Sequence, residues 1–260
     1  MILAKGYSTF SYGQVHYRMT EHHGKRPLLL LHQTPSSSIM YELLMAELAA
    51  DFWCIAPDTP GFGLSDPLPG EATVVGYATA VANLLHALNI NNCAVFGHHT
   101  GAAIGVQLAF DKPELITHLA LSGPPLLTQA QIAHLKTTLP MMELDVDGRF
   151  LTELWQRLRH KNPAAPPELT LRETIAALQC RHSYHEAYHA VFAQEFAAQL
   201  AAISCPVLLL AGENDSLLAS LEPSANLVQN GRCHTIPNAG TYICDEQPQV
   251  VANLLREFLM

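Results

Sequence analysis

Apolar residues in this chain gather in short runs that recur at regular intervals, with helical or turn-rich stretches between them. Residues 7–19 alternate around Tyr12-Gly13, which predicts an opening β-hairpin. Pro27-Leu28-Leu29-Leu30-Leu31-His32 is a continuous apolar run, as in a strand covered on both faces. Similar runs cover Phe52 to Pro57, a stretch opening at Cys93, Ile116 to Ser122 and Pro206 to Ala211, and a shorter one covers Cys233 to Ile236. Helical spacing fills Met40 to Ala50, Thr73 to Leu88, a stretch from about Leu217 and the terminal segment to Met260. Strand and helix alternating at these lengths imply an α/β fold, a mostly parallel sheet flanked by helices.

The rhythm breaks between Pro124 and about Ala202. That segment reads as helix throughout, interrupted by Asn162-Pro163-Ala164-Ala165-Pro166-Pro167. An all-helical insert between two strands predicts a lid over the strand ends. The expected organisation is therefore a core of residues 1–123 and 203–260, with a helical lid over 124–202. No internal repeat or low-complexity tract interrupts it.

Composition narrows the class of protein. The 260 residues are 49% hydrophobic, enough for one large core, and only 14% are charged. A formal net charge of −9 offers no attraction to phosphate backbones or anionic lipid, so neither nucleic acid nor a membrane is an expected partner. Met1-Ile2-Leu3-Ala4-Lys5-Gly6-Tyr7 lacks the basic and apolar regions of a secretory signal, and no run approaches a membrane span. The six cysteines include no C-x-x-C pair and sit mostly in apolar contexts, as in a reducing compartment. The expectation is a cytoplasmic protein with a small-molecule substrate and no cofactor. The sequence is silent on oligomeric state.

The stretch that carries the chemistry is Cys93-Ala94-Val95-Phe96-Gly97-His98-His99-Thr100-Gly101-Ala102. It has the strand, sharp turn and helix of a G-x-S-x-G nucleophile elbow, with His99 where the nucleophile stands. Three more motifs follow the same order as in a known superfamily. His32-Gln33-Thr34-Pro35 is similar to an H-G-x-P segment. Asp58-Thr59-Pro60-Gly61-Phe62-Gly63-Leu64-Ser65-Asp66 is similar to a D-x-x-G-x-G-x-S loop, and Gly212-Glu213-Asn214-Asp215 matches a G-x-x-D turn. Over nearly its whole length the chain resembles the α/β-hydrolase superfamily. It most resembles the capped branch that holds epoxide hydrolases, haloalkane dehalogenases and carbon–carbon hydrolases.

Two positions depart from that pattern. The resemblance implies a catalytic His after Asn238-Ala239-Gly240, and this chain has Thr241 there. Without a hydroxyl or thiol at the elbow, the usual acyl-enzyme has no nucleophile. The departures are physically linked, because an imidazole at position 99 reaches farther than a serine and can enter the space that Thr241 leaves. Asp215, which the resemblance implies as the acid, is then expected to bond one ring nitrogen of His99 and leave the other facing the pocket as a general base. The resemblance further implies an oxyanion hole from the backbone N–H groups of Thr34 and Thr100, which needs no particular side chain.

His32, Gln33, His98, Thr241 and Tyr242 are further pocket candidates, together with His182, Tyr184, His185 and Tyr188 from the insert. Each of His32, Gln33 and His98 has a competing role as a hydrogen-bonded structural group. Arg172 and Arg181 can serve an acidic substrate group or simply face solvent. His185-Glu186-Ala187-Tyr188-His189 spells H-E-x-x-H, the helical zinc signature, but no third ligand stands out, so no metal is expected. The leading expectation is an enzyme with a His99–Asp215 base acting on a small carbonyl compound. Hydrolysis of an ester, lactone-like or carbon–carbon bond stands ahead of lyase or isomerase chemistry. The alternatives are a small-molecule binding protein with a decayed site and a zinc hydrolase using His185, Glu186 and His189.

Overall fold

The computed structural model describes residues 3–139, 143–229 and 231–260. Met1 and Ile2, and residues 140–142 of the expected helical insert, lie outside the described residues. The strands are β1 (Ala4–Phe10), β2 (Gly13–Met19), β3 (Arg26–Leu31), β4 (Phe52–Pro57), β5 (Cys93–His98), β6 (Ile116–Ser122), β7 (Val207–Gly212) and β8 (Gly231–Ile236). They form a single sheet in the order β1-β2-β4-β3-β5-β6-β7-β8. The β1–β2 hairpin joins β4 antiparallel, and every pairing from β4 through β3 to β8 is parallel.

The long apolar runs follow from this arrangement. Leu28 and Leu30 of β3 face a cluster with α1 (Glu42–Leu48), whereas Leu29 and Leu31 face α2 (Val74–Ala87) and α3 (Thr100–Asp111). With both faces covered, successive residues, and not only every second one, need apolar side chains. The helices of the segment between β6 and β7 are α4 (Gln129–Thr138), α5 (Arg149–Lys161), α6 (Pro167–Cys180), α7 (Ser183–Phe192) and α8 (Phe196–Ala201). After β7 come the short α9 (Leu221–Ala225), then α10 (Ile243–Glu246) and α11 (Pro248–Leu259), the last packed beside α1. No helix among the described residues is long and apolar enough to cross a membrane.

Several element boundaries differ from the sequence pattern, among them the hairpin, whose first strand starts at Ala4 rather than residue 7. The helix expected from Met40 opens as a 3₁₀ turn at Ser38–Tyr41, where Ser38 N–H donates to Asp58 across the fold. The helix expected from Leu217 is a 3₁₀ turn and the five-residue α9. There Ser220 Oγ donates to the carbonyls of Pro124 and Leu217, competing with helix bonds. Strand β8 starts two residues before Cys233, because Gly231 and Arg232 pair with β7 although their edge position leaves them largely exposed.

Close packing of α3 on the sheet sets up the elbow. A side chain at Gly101 would overlap the Leu31 carbonyl, so the helix reaches the sheet only with glycine there. Strand ends β3, β5, β7 and β8 then converge at one edge of the sheet, where α/β folds bind ligands.

Candidate active site

His99 occupies the turn between β5 and α3 with φ 49° and ψ −108°. A non-glycine residue in this region is strained, and such strain gathers at functional positions. His99 N–H donates to the Ser122 carbonyl, and the carbonyl of His99 accepts from Ala102 and Ala103 of α3. The turn thus holds the imidazole upright at the end of the strands. Gly123, at φ 55°, leaves the space beside the ring; a β-carbon there would overlap His99 Cδ2 and Nε2.

Asp215 lies in the turn after β7, with its carboxylate fully buried. Its Oδ2 is 2.9 Å and its Oδ1 3.1 Å from His99 Nε2. Leu217 N–H donates to Oδ1 at 2.7 Å, fixing the carboxylate from the other side. Burial acts to raise the Asp215 carboxyl, but His99 outweighs it, helped by His98 and Leu217, and brings it down to about 2. An ionised Asp215 only accepts, so Nε2 carries the proton that it donates to the carboxylate. Nδ1 is then the nitrogen with the lone pair, and among the described residues it meets no hydrogen-bond donor. Thr241 Oγ1 lies 3.3 Å from Nε2.

Above the dyad is a cavity of about 400 Å³ lined in part by Thr34, His99, Thr100, Asn214, Ser216 and Thr241. Its far wall comes from the segment between β6 and β7: Leu135 of α4, His160 and Lys161 of α5, and Tyr188, Val191 and Phe192 of α7. Pro125, Leu127 and Leu217 complete it. Among the described residues, no acceptor stands against the backbone N–H of Thr34 or of Thr100. The latter opens α3, where helix geometry leaves first-turn N–H groups free.

Of the residues named from sequence, His99, Thr34, Thr100, Thr241 and Tyr188 line the cavity, with Asp215 bonded behind His99. The others lie elsewhere. His32 is buried below, accepting from Thr59 N–H at Nε2 and donating from Nδ1 to the Gln33 carbonyl. Gln33 is buried and is not among the lining residues. His98 stacks on His99 with ring centroids 4.5 Å apart, fully buried, and donates from Nε2 to the Thr241 carbonyl. Burial and the neighbouring His99 depress His98 to about 3, so it stays neutral. Tyr242 packs on Ala165 and Leu169. Tyr184 belongs to the core and lies beneath Arg157, while His182 is exposed and His185 is half-buried away from the cavity.

Neither Arg172 nor Arg181 is among the residues lining the cavity. Arg172 is bound bidentately by Asp245 at 2.6 and 2.8 Å and pairs with Glu173 at 2.8 Å, so it is not open to a substrate. Arg181 is exposed beyond the end of α6. The cavity's own cation is Lys161, which the sequence reading did not single out. The available signal was the basic run Arg159-His160-Lys161 immediately before the proline-rich interruption, where the chain turns back across the site.

The H-E-x-x-H stretch lies on α7, but no compact metal-ligand cluster forms around it among the described residues. The compact set is His98, His99 and Asp215, with one ligand atom from each within 4.8 Å. The two rings are only 10° from parallel, so their in-plane lone pairs run side by side rather than converging on one ion. His98 Nε2 is further committed to the Thr241 carbonyl. This donor set suits proton transfer better than metal coordination.

Comparison with known proteins bears on the fold and the family. The chain is 26% identical to a haloalkane dehalogenase of Psychrobacter cryohalolentis, covering 95% of this chain and 87% of that protein. It is 23% identical to the 2-(acetamidomethylene)succinate hydrolase of Mesorhizobium japonicum, over 91% and 89% of the two chains. Uncharacterized proteins of Mycobacterium tuberculosis and Mycobacterium bovis are 32% identical over 115 residues. That match takes in 44% of this chain and spans about a third of those relatives, 34% of their length. Among solved structures, a hydrolase from Pseudomonas aeruginosa PA01 superposes with a TM-score of 0.83 at 22% identity, covering 98% of both chains. The profile of the alpha/beta hydrolase fold family matches residues 26–248, and the chain belongs to that family.

Proposed function

We propose that this protein is a hydrolase of small carbonyl compounds that uses His99 as a general base, oriented by Asp215, in place of a covalent nucleophile. The observation that carries the reading is the bond between His99 Nε2 and the Asp215 carboxylate. It sets the tautomer in which Nδ1, on a cavity-lining side chain, is unprotonated. Named hydrolases among the relatives support the reaction class.

In this reading Nδ1 removes a proton from water as the water oxygen bonds to the substrate carbonyl carbon. The carbonyl π electrons move onto oxygen, which is met by the N–H groups of Thr34 and Thr100. Collapse of the tetrahedral adduct breaks the bond to the leaving group, and Nδ1–H returns the proton to it. Asp215 retains its bond to Nε2–H throughout and stabilises the transient imidazolium. An ester, a lactone-like ring or a carbon–carbon bond beside a carbonyl fits this scheme. Residues 124–202 act as the lid, presenting the apolar far wall, and the protein works in the cytoplasm.

Kinetics with a panel of activated esters, lactones and β-diketones test the reading. His99→Ala and Asp215→Asn each lower turnover by roughly 10²–10⁴-fold, the range for a positioned base. The double variant is no worse than His99→Ala, because Asp215 acts through His99. Intact-mass analysis during turnover detects no acyl-enzyme. An acyl adduct on Thr100, Thr241 or Ser36 overturns the mechanism. Full turnover by His99→Ala overturns the site, and tight ligand binding with no turnover of any carbonyl compound establishes a binding protein instead.

A further inference from the structure

We infer that Lys161 recognises a carboxylate on the substrate, so that the molecule lying over His99 is a small acyl compound carrying a second, anionic group. The inference rests on the reading of this cavity as the reaction site and adds its substrate class.

Charge distribution is the first ground. The chain as a whole carries a formal net charge of −9, yet among the described residues no Asp or Glu lines the cavity, and Lys161 is the one Lys or Arg that does. Arg172, Arg256 and Arg18 are matched by carboxylates, and Lys25, Arg159 and Arg157 meet backbone carbonyls or the Tyr184 ring outside the cavity. Lys161 is partly buried and has no carboxylate within 4.0 Å among the described residues. An ammonium removed from bulk water without a counter-ion favours an incoming anion, and a charge-assisted hydrogen bond is among the stronger polar contacts.

Positioning is the second ground. Lys161 ends α5, where its charge also suits the helix carbonyls. Neighbours on both sides are tied down. Arg159 donates to the carbonyls of Pro163, at 2.5 Å, and Ala165. Asn162 donates to Glu246, whose other oxygen accepts Gly240 N–H at 2.7 Å. That last link joins the end of α5 to the loop bearing Thr241, so the backbone that carries Lys161 is tied to the loop beside the dyad.

The nearest competing account makes Lys161 a counter-charge for Glu173. Glu173, however, already pairs with Arg172 at 2.8 Å and accepts from Ser36 Oγ at 3.0 Å. Burial opposes the charge on Lys161, but its surroundings outweigh burial and the amine stays protonated, above the ordinary lysine range. Leu127, Leu135 and Phe192 supply an apolar span for the carbon chain. A single ammonium matches a monoanionic carboxylate better than a phosphate dianion, which calls for several donors.

The test uses monomethyl esters of the straight-chain diacids from malonate to pimelate, each paired with the neutral methyl alkanoate of equal length. Calorimetry on the intact protein is expected to show at least one half-ester binding about tenfold or more tightly than its neutral partner. Lys161→Gln brings the pair within about twofold, and Lys161→Arg keeps most of the preference. His99→Ala keeps the preference while abolishing turnover, which separates this inference from the mechanism. A wild-type protein that binds both members equally overturns it, as does Lys161→Gln with the preference intact. Should Lys161→Gln fail to fold, ¹³C-dimethylated lysine resonances of the wild type decide. A Lys161 signal shifted by the half-ester but not by its neutral partner supports the inference, and an unmoved signal under saturating half-ester overturns it.

Discussion

Helix α3 lies against the sheet with residues 100–109 buried without a break, whereas α4 buries no residue at all. The two helices stand on opposite sides of the same cavity. The difference extends to α5. Around α3 a large cluster ties β3, β5, β6 and β7 to α2 and takes in Ala187 and Val191 of α7 and Leu200 of α8, while α5 contributes only Leu154 and Leu158 to a small separate cluster with Ala177. The proposed base thus stands on the close-packed part of the molecule. Lys161, the proposed contact for the substrate's outer end, stands on a helix held by few apolar contacts and several polar ties. Chemistry needs sub-ångström placement, and a close-packed core supplies it. A wall that selects substrates can change without disturbing that placement.

Kinetics offer the widest separation between the two sides. Asp215→Asn, on the core side, is expected to lower kcat by roughly 10²–10⁴-fold with KM little changed. Phe192→Ala, on the α7 wall, is expected to raise KM several-fold while kcat stays within about threefold. A kcat collapse for Phe192→Ala would place part of the chemistry on the inserted segment and end the division.

Packing should separate them next. Leu209→Ala in fully buried β7 is expected to cost about 2–5 kcal/mol of unfolding free energy, read from urea midpoints. Leu151→Ala on α5, at 44% exposure, should stay within about 0.5 kcal/mol.

Acid should act first through the core. Asp215 and Asp58 are both brought down to about 2, Asp215 chiefly by His99 and Asp58 chiefly by His16, in each case against burial. A carboxyl whose folded value lies below its unfolded value, about 3.9, stabilises the fold above that value. The contribution is lost as pH falls from about 4 towards 2, and each group accounts for on the order of 2 kcal/mol. Stability measured across that window should therefore fall steeply, and Asp215→Asn should flatten part of the slope. An unchanged slope would show that the His99 bond is absent in solution.

The smallest effect is the most discriminating. Thr73 Oγ1 accepts from Gly76 N–H at the start of α2, and Thr128 forms a complete capping box with Gln131 at the start of α4. On helix chemistry alone both alanine variants lose about 1 kcal/mol. Thr73→Ala is expected to show that loss in global unfolding. Thr128→Ala should leave global unfolding unchanged and instead speed amide exchange within α4, because a helix without buried contacts opens on its own.

The same contrast explains what could be read from the sequence. Strands β4 and β6 begin and end where their apolar runs do, because most of their residues are buried and only Trp53, Thr117 and His118 near the strand starts reach the surface. His99 was legible from the glycine-flanked elbow, and Thr34, Thr100 and Asp215 from the resemblance of their motifs to the superfamily; the structure gathers the four around one cavity. Tyr184, Tyr242 and Arg172 were not separable from pocket residues. Which face of α6 or α7 turns towards the core depends on contacts with elements distant in sequence, such as Arg172 with Asp245. Lys161 was hidden for the same reason, since a lysine at a helix end ordinarily means solvent.

Gly123 places a constraint on redesign. A β-carbon at that position would overlap the imidazole in its observed place, and the positive φ there favours glycine as well. Gly123 is in that sense a permissive position, silent in the chemistry and required for the ring to stand where it does. Transplanting the His99–Asp215 pair into a relative is therefore a three-position problem, with glycine at 123 as the substitution to make first.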